Sequence, residues 1–143
     1  MDSRLLPIGS VARHFGLPVS TLHYWERVGL LRPARRVAGR RFYGPEEMRR
    51  IALVTLWQRT GMMSLEEIGA VLEGRRGRAG WQETVGTRIE EIDAQLRRLT
   101  AARAYLSHML ECPRDNPARD CPKLHAEIDE HLPRTAPAVP EED

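Results

Sequence analysis

Apolar side chains at Val85, Ile89, Ile92, Leu96, Leu99, Leu106 and Leu110 recur at gaps of four and three residues, with Arg103 in the one seam position that is not apolar. This alternation is the heptad seam of a coiled coil, about four repeats long. A helix of about 28 residues is about 42 Å long at 1.5 Å per residue, and the chain has no second helix of that length to cover the stripe. The stripe is therefore expected to pair with the same stripe of another copy, so those seven residues predict a homodimer. The competing arrangement folds the helix back onto its own head, which would bury the stripe within one chain.

With 143 residues there is room for one modest core beside such a helix, not for a multidomain enzyme. No apolar run approaches the roughly 18 residues that a membrane span needs. The opening residues, Met1 to Pro7, carry no long apolar segment, so the sequence predicts a cytoplasmic protein with no membrane partner. Two cysteines in a reducing compartment are expected as thiols. Paired catalytic carboxylates, a phosphate-binding glycine loop and a nucleophile motif are all missing, and His14, His23 and His131 have no evident triad partners, so catalysis is not expected.

Charge is divided unevenly along the chain. Residues 1–60 hold eleven arginines and no lysine against four acids, a balance of +7, whereas residues 61–143 hold eleven basic and sixteen acidic groups, a balance of −5. Arginine is the planar, bidentate donor suited to phosphates and guanine edges, so the front half is expected to meet nucleic acid.

The front half also has the layout for it. Ile8, Val11, Ala12 and Phe15 recur at helical spacing and Gly16 closes the run. After a turn at Gly16, Leu17 and Pro18, Ser20 stands before a second helix. There Leu22, Trp25 and Val28 share one face, and Thr21, His23, Tyr24 and Arg27 face outward or sideways. This is a helix-turn-helix in about 22 residues. Residues 30–43 read as a small β-hairpin with a basic tip. Pro45 opens a largely buried third helix through Met48, Ile51, Ala52, Val54, Thr55 and Trp57, and Ser64 with Glu67 forms a capping box for a fourth, whose buried face is Leu65, Ile68, Val71 and Leu72. The expected divisions are a winged helix-turn-helix domain over 1–74 and a hinge with Arg75, Arg76 and Arg78 leading into the dimerisation helix over 75–111. A cysteine loop and short helix follow over 112–132, with Leu124, Ile128 and Leu132 on one face, and a disordered tail over 133–143.

A recognition helix enters the major groove with its first turns toward the bases, which selects Ser20, Thr21, His23 and Arg27 as base-facing candidates and gives the Tyr24 hydroxyl a phosphate. Arg40, Arg41 and Tyr43 are placed on the backbone as a grip.

The stretch Leu6 to Leu72 resembles the winged-helix head of MerR-type transcription regulators. The resemblance rests on Ile8-Gly9-Ser10-Val11-Ala12, Phe15-Gly16-Leu17, the run from Ser20 through Tyr24-Trp25-Glu26-Arg27 to Leu31, the basic hairpin closing at Tyr43, and Ser64-Leu65-Glu66-Glu67-Ile68. It implies a mainly α fold, an antiparallel coiled coil, and a dimer on double-stranded promoter DNA whose two polymerase elements lie too far apart. There an effector changes the distortion of the duplex so that RNA polymerase engages both. Two departures concern the operator: His23 stands where the family usually has arginine, and Arg40 and Phe42 exchange the usual aromatic and basic places around Arg41.

Cys112-Pro113 and Cys121-Pro122, with eight residues between the thiols, resemble the metal loop of the copper-sensing branch of that family. Paired soft thiolates suit monovalent soft ions such as Cu(I) or Ag(I). From spacing alone, His108 lies four residues before Cys112 and His125 four after Cys121, a symmetric set that would give zinc four ligands. Residues 74–84 hold no cysteine, the extra ligand that divalent sensors of the family use. Three uses of the thiols stay open: a soft monovalent metal, redox or haem chemistry at the Cys-Pro steps, and a structural role with another effector or with none, the last making a ligand-independent repressor or DNA-architectural protein.

Overall fold

The computed structural model describes residues 4–74 and 80–134. The expected hinge arginines and residues 135–143 of the expected tail lie outside them. Two compact units emerge, residues 1–92 and 93–143.

The first unit opens with a two-residue strand β1 (Leu6–Pro7) and helices α1 (Ile8–Phe15) and α2 (Val19–Arg27). Gly16 takes a left-handed conformation at φ 63°, its N–H reaching the Arg13 carbonyl at 3.2 Å while the Leu17 N–H reaches back to Ala12 at 2.9 Å. This is a Schellman ending, which needs a residue tolerant of positive φ. Pro18, extended at ψ 144°, precedes α2, so the helix starts at Val19 and Ser20 lies inside its first turn rather than before it. Val28, expected on the inner face with Leu22 and Trp25, is half exposed instead, because α2 has ended by then and Gly29 turns the chain at φ 80°.

The wing follows as β2 (Arg35–Val37) and β3 (Arg40–Tyr43), joined by Ala38 and Gly39, both at positive φ as a tight two-residue hairpin turn demands. Arg36 stands directly opposite Arg41 in this register. The sheet is antiparallel in the order β1-β3-β2, with Leu6 opposite Tyr43. β1 was not legible in the sequence, being two residues long and defined only by its partner strand.

Helix α3 (Pro45–Thr60) starts with proline at its first position, and the Glu47 carboxylate accepts the Gly44 N–H at 2.8 Å. Its inner face is narrower than expected: Ile51 and Val54 are buried, whereas Ala52 is exposed. Helix α4 (Leu65–Glu73) carries the expected capping box, with Ser64 Oγ accepting the Glu67 N–H at 3.2 Å and Glu67 Oε2 accepting the Ser64 N–H at 2.7 Å. The core gathers Val11 and Ala12 of α1, Leu22 and Trp25 of α2, Leu30 and Leu31 behind it, Tyr43 of β3, Ile51 and Val54 of α3, and Ile68 of α4. Arg50 on α3 donates to the Leu30 carbonyl and ties the segment after α2 to this core.

Helix α5 (Trp81–Leu110) begins four residues earlier than the seam itself and runs for 30 residues. No residue of it is buried, and Leu99 and Leu110 are 66% and 88% exposed. Within the second unit the stripe lies open, as pairing with a second copy requires.

In the second unit, α6 (Pro117–Asp120) occupies what was expected to be loop, its start capped by Asn116 Oδ1 on the Arg119 N–H at 3.1 Å. Helix α7 (Pro122–Asp129) starts at proline as expected but stops before Leu132, and both Ile128 and Leu132 are exposed, so the expected apolar face is not buried within the chain. Among the described residues, no helix is long and apolar enough to cross a membrane.

Candidate nucleic-acid interface and cysteine cavity

Burying Leu22 and Trp25 fixes which side of α2 meets solvent. Ser20, Tyr24 and Arg27 stand exposed there, with Thr21 and His23 half buried beside them. The Arg27 guanidinium lies over the Tyr24 ring, 5.5 Å from its centroid, a cation–π contact that pre-orders two of the candidates. The other obvious partner for Arg27 was its neighbour Glu26. That carboxylate instead faces the wing, accepting a hydrogen bond from Arg36 of β2 and another from Arg41 Nε of β3 at 2.5 Å. Ser20, His23, Glu26, Arg27 and Arg41 line one cleft of about 480 Å³ between α2 and the wing. Arg40 is exposed on the same hairpin.

Tyr43 does not join this surface. It is fully buried in the core, so its expected part in the backbone grip is corrected: Tyr43 shares a face of β3 with Arg41, but at the end of the strand that leads into α3 that face lies against the core. Its hydroxyl has no hydrogen-bond partner, and burial, followed by the nearby Glu26 charge, pushes its pKa above the ordinary phenol value.

Glu26 and Arg36 were missed as interface residues. Reading Ala38-Gly39 as the turn would have shown that Arg36 opposes Arg41, and two like charges across a ladder need a counter-charge.

A second ion pair joins α4 to the start of α5. Arg88 donates to Glu67 through Nε at 3.1 Å and through Nη2 at 2.5 Å, with both side chains about one-fifth exposed. Burial pushes the Glu67 carboxyl up, but the hydrogen bonds from Arg88 and Ser64 outweigh it and hold the group below its ordinary value of 4.5. A carboxyl with a depressed folded pKa stabilises the fold above its unfolded pKa and loses that contribution as pH falls through the folded value. The thermal midpoint of Glu67→Gln is therefore expected below that of wild type at pH 7, with the gap closing below about pH 4.5. Parallel melts across that range would refute this if the gap were constant.

The cysteines lie at the other end of α5. Cys112 and Cys121 are both half buried free thiols. They line one cavity of about 310 Å³ with Tyr105, His108 and Met109 of α5 and Leu124 of α7. Cys121 also caps α7, its Sγ accepting the Leu124 N–H at 3.5 Å. The symmetric four-ligand zinc set is not assembled: among the described residues, no group of three or more His, Cys, Asp or Glu is gathered to hold an ion. The reason is local. His125 turns out of the cavity and its Nε2 contacts the Ala118 carbonyl at 2.8 Å, while His108 Nδ1 lies 3.8 Å from Glu111.

A helix-turn-helix flanked by an arginine-bearing hairpin defines a winged DNA-binding regulator, and the comparisons agree. Residues 6–75 match the MerR HTH family regulatory protein model and residues 48–109 the MerR, DNA binding model. The HTH-type transcriptional regulator HmrR of Rhizobium leguminosarum bv. viciae is 31% identical over 121 residues, 82% of this chain and 93% of its own. Among solved structures, PbrR691 from Ralstonia metallidurans CH34 in complex with lead(II) superposes with a TM-score of 0.66 at 23% identity, covering 85% of this chain and 98% of that one. A MerR family regulator from Bacillus cereus gives 0.63 at 20% identity, over 90% and 99%. The chain belongs to the MerR family and is a DNA-binding transcription regulator of that type.

Proposed function

We propose that two copies of this chain pair through α5, place two winged heads on one double-stranded promoter site, and distort that DNA in response to a soft monovalent metal ion held by Cys112 and Cys121. Deforming a duplex costs energy that protein contacts offset, and an effector acts by binding one arrangement of the dimer better than another. On this reading α2 supplies Ser20, Thr21, His23 and Arg27 to the bases and Tyr24 to a phosphate, with Arg40 and Arg41 on the backbone. RNA polymerase is the partner that the altered promoter serves.

The observation that carries the metal reading is the placement of both thiols in one cavity beside the Met109 thioether. Sulfur donors in a partly enclosed, largely apolar setting suit Cu(I) and Ag(I). The ion would supply a linkage between the two ends of the loop. Silver titration of reduced protein is expected to show a tight site that Cys112→Ser or Cys121→Ser weakens by at least about ten- to a hundredfold. Equal affinity in all three proteins would remove the metal reading.

One observation favours a second reading. The Cys121 sulfur already serves as the cap of α7, which gives it a structural use without any ligand. A ligand-independent repressor or architectural protein of this kind would bind DNA with the same footprint whether or not silver is present.

A further inference from the structure

We propose that Glu26 is a positioning residue for DNA recognition: its carboxylate clamps the wing to the recognition helix and neutralises one of the two opposed wing arginines. The inference rests on the reading that this head binds duplex DNA, and it assigns a role to an acid placed in an otherwise basic cleft.

β2 buries none of its three side chains, and its backbone is held by the ladder to β3. α2 is fixed by Leu22 and Trp25, and β3 by Tyr43. Glu26 bridges these separately anchored elements, taking Arg36 from β2 and Arg41 from β3 on its two oxygens. The Glu26 side chain is only 14% exposed, so both contacts form in a setting with limited solvent screening.

The electrostatics follow from the register. Arg36 and Arg41 are directly opposed on the hairpin, and like charges in that position repel. The carboxylate between them lowers the local charge from +2 to +1. A guanidinium has five N–H donors, so an arginine that gives one or two of them to Glu26 keeps others for a phosphate. Glu26 thus holds the arginines in place without using them up, at the cost of part of their attraction for DNA of any sequence.

Two variants separate reach from charge. Glu26→Gln keeps the shape and removes the charge; Glu26→Asp keeps the charge and draws it back by one methylene, too far to span both strands. Binding is measured against salt on two probes, a duplex enriched by the wild-type protein from a randomised library and an unrelated duplex of the same length.

For Glu26→Gln, the ratio of enriched to unrelated affinity is expected to fall about tenfold, while the salt slope steepens by about 0.9 for the one charge unmasked. For Glu26→Asp, the ratio is expected to fall with the slope unchanged. An unchanged ratio in either variant, or an unchanged or shallower slope in Glu26→Gln, overturns the proposal. If Glu26→Gln fails to fold by circular dichroism, the Glu26→Asp ratio decides alone. Wild-type protein that binds neither duplex would instead sink the underlying DNA-binding reading.

Discussion

Aspartate at both Leu96 and Leu99 is expected to leave a folded monomer that has lost its hold on operator DNA. Both leucines sit in the α5 seam and are more than half exposed in the single chain, so burying them depends on a second copy. Each buried leucine contributes roughly 1.5–3 kcal/mol, and in a symmetric dimer each substitution removes two of them. Placing carboxylates in the seam adds a desolvation penalty, so the dimerisation constant is expected to move by several orders of magnitude. The head should be untouched, because no residue of α5 contributes to its buried core. Sedimentation at micromolar concentration, read with circular dichroism, checks both halves; a variant that stays dimeric would mean that the seam is not the interface.

Alanine at Trp25 is expected to have the largest effect on the head itself. Trp25 is 2% exposed at the centre of the core, and its carbonyl receives the Leu30 N–H at 2.9 Å. Truncating a buried tryptophan costs about 3–5 kcal/mol, against a total of about 5–15 for a domain. Such a loss leaves a substantial unfolded fraction at growth temperature or a strongly lowered denaturation midpoint. Tyr24→Ala, one position away, is the control: Tyr24 is 45% exposed, so stability should change by about 0.5 kcal/mol or less while DNA affinity drops. Urea denaturation of the pair refutes the assignment of faces on α2 if the two variants behave alike.

What the sequence revealed and what it hid have a common physical explanation. Features set by local periodicity or by a cap were legible, including the Gly16 ending, the Ser64–Glu67 box, proline starts at Pro45 and Pro122, and the long seam of α5. Features set by partners far along the chain were not. β1 exists only because β3 lies beside it, and Tyr43 is core rather than grip because the face it shares with Arg41 meets the core at that end of β3. Glu26 looked like a neighbour of Arg27, yet its ion pairs reach ten and fifteen residues onward. The histidine spacing followed the same rule: His108 lines the cysteine cavity, whereas a contact with the Ala118 carbonyl turns His125 elsewhere.

The basic groups of the DNA-facing half are guanidinium groups throughout, and Lys123, on the rim of the cysteine cavity, is the chain's one lysine. Acetyltransferases erase charge at ε-amino groups, and residues 1–60 offer them none. Guanidinium also stays protonated across any physiological acidity. The grip of the wing can therefore be adjusted by ionic strength or by rearrangement of its parts, whereas acylation would register only at the sulfur-lined end of the molecule.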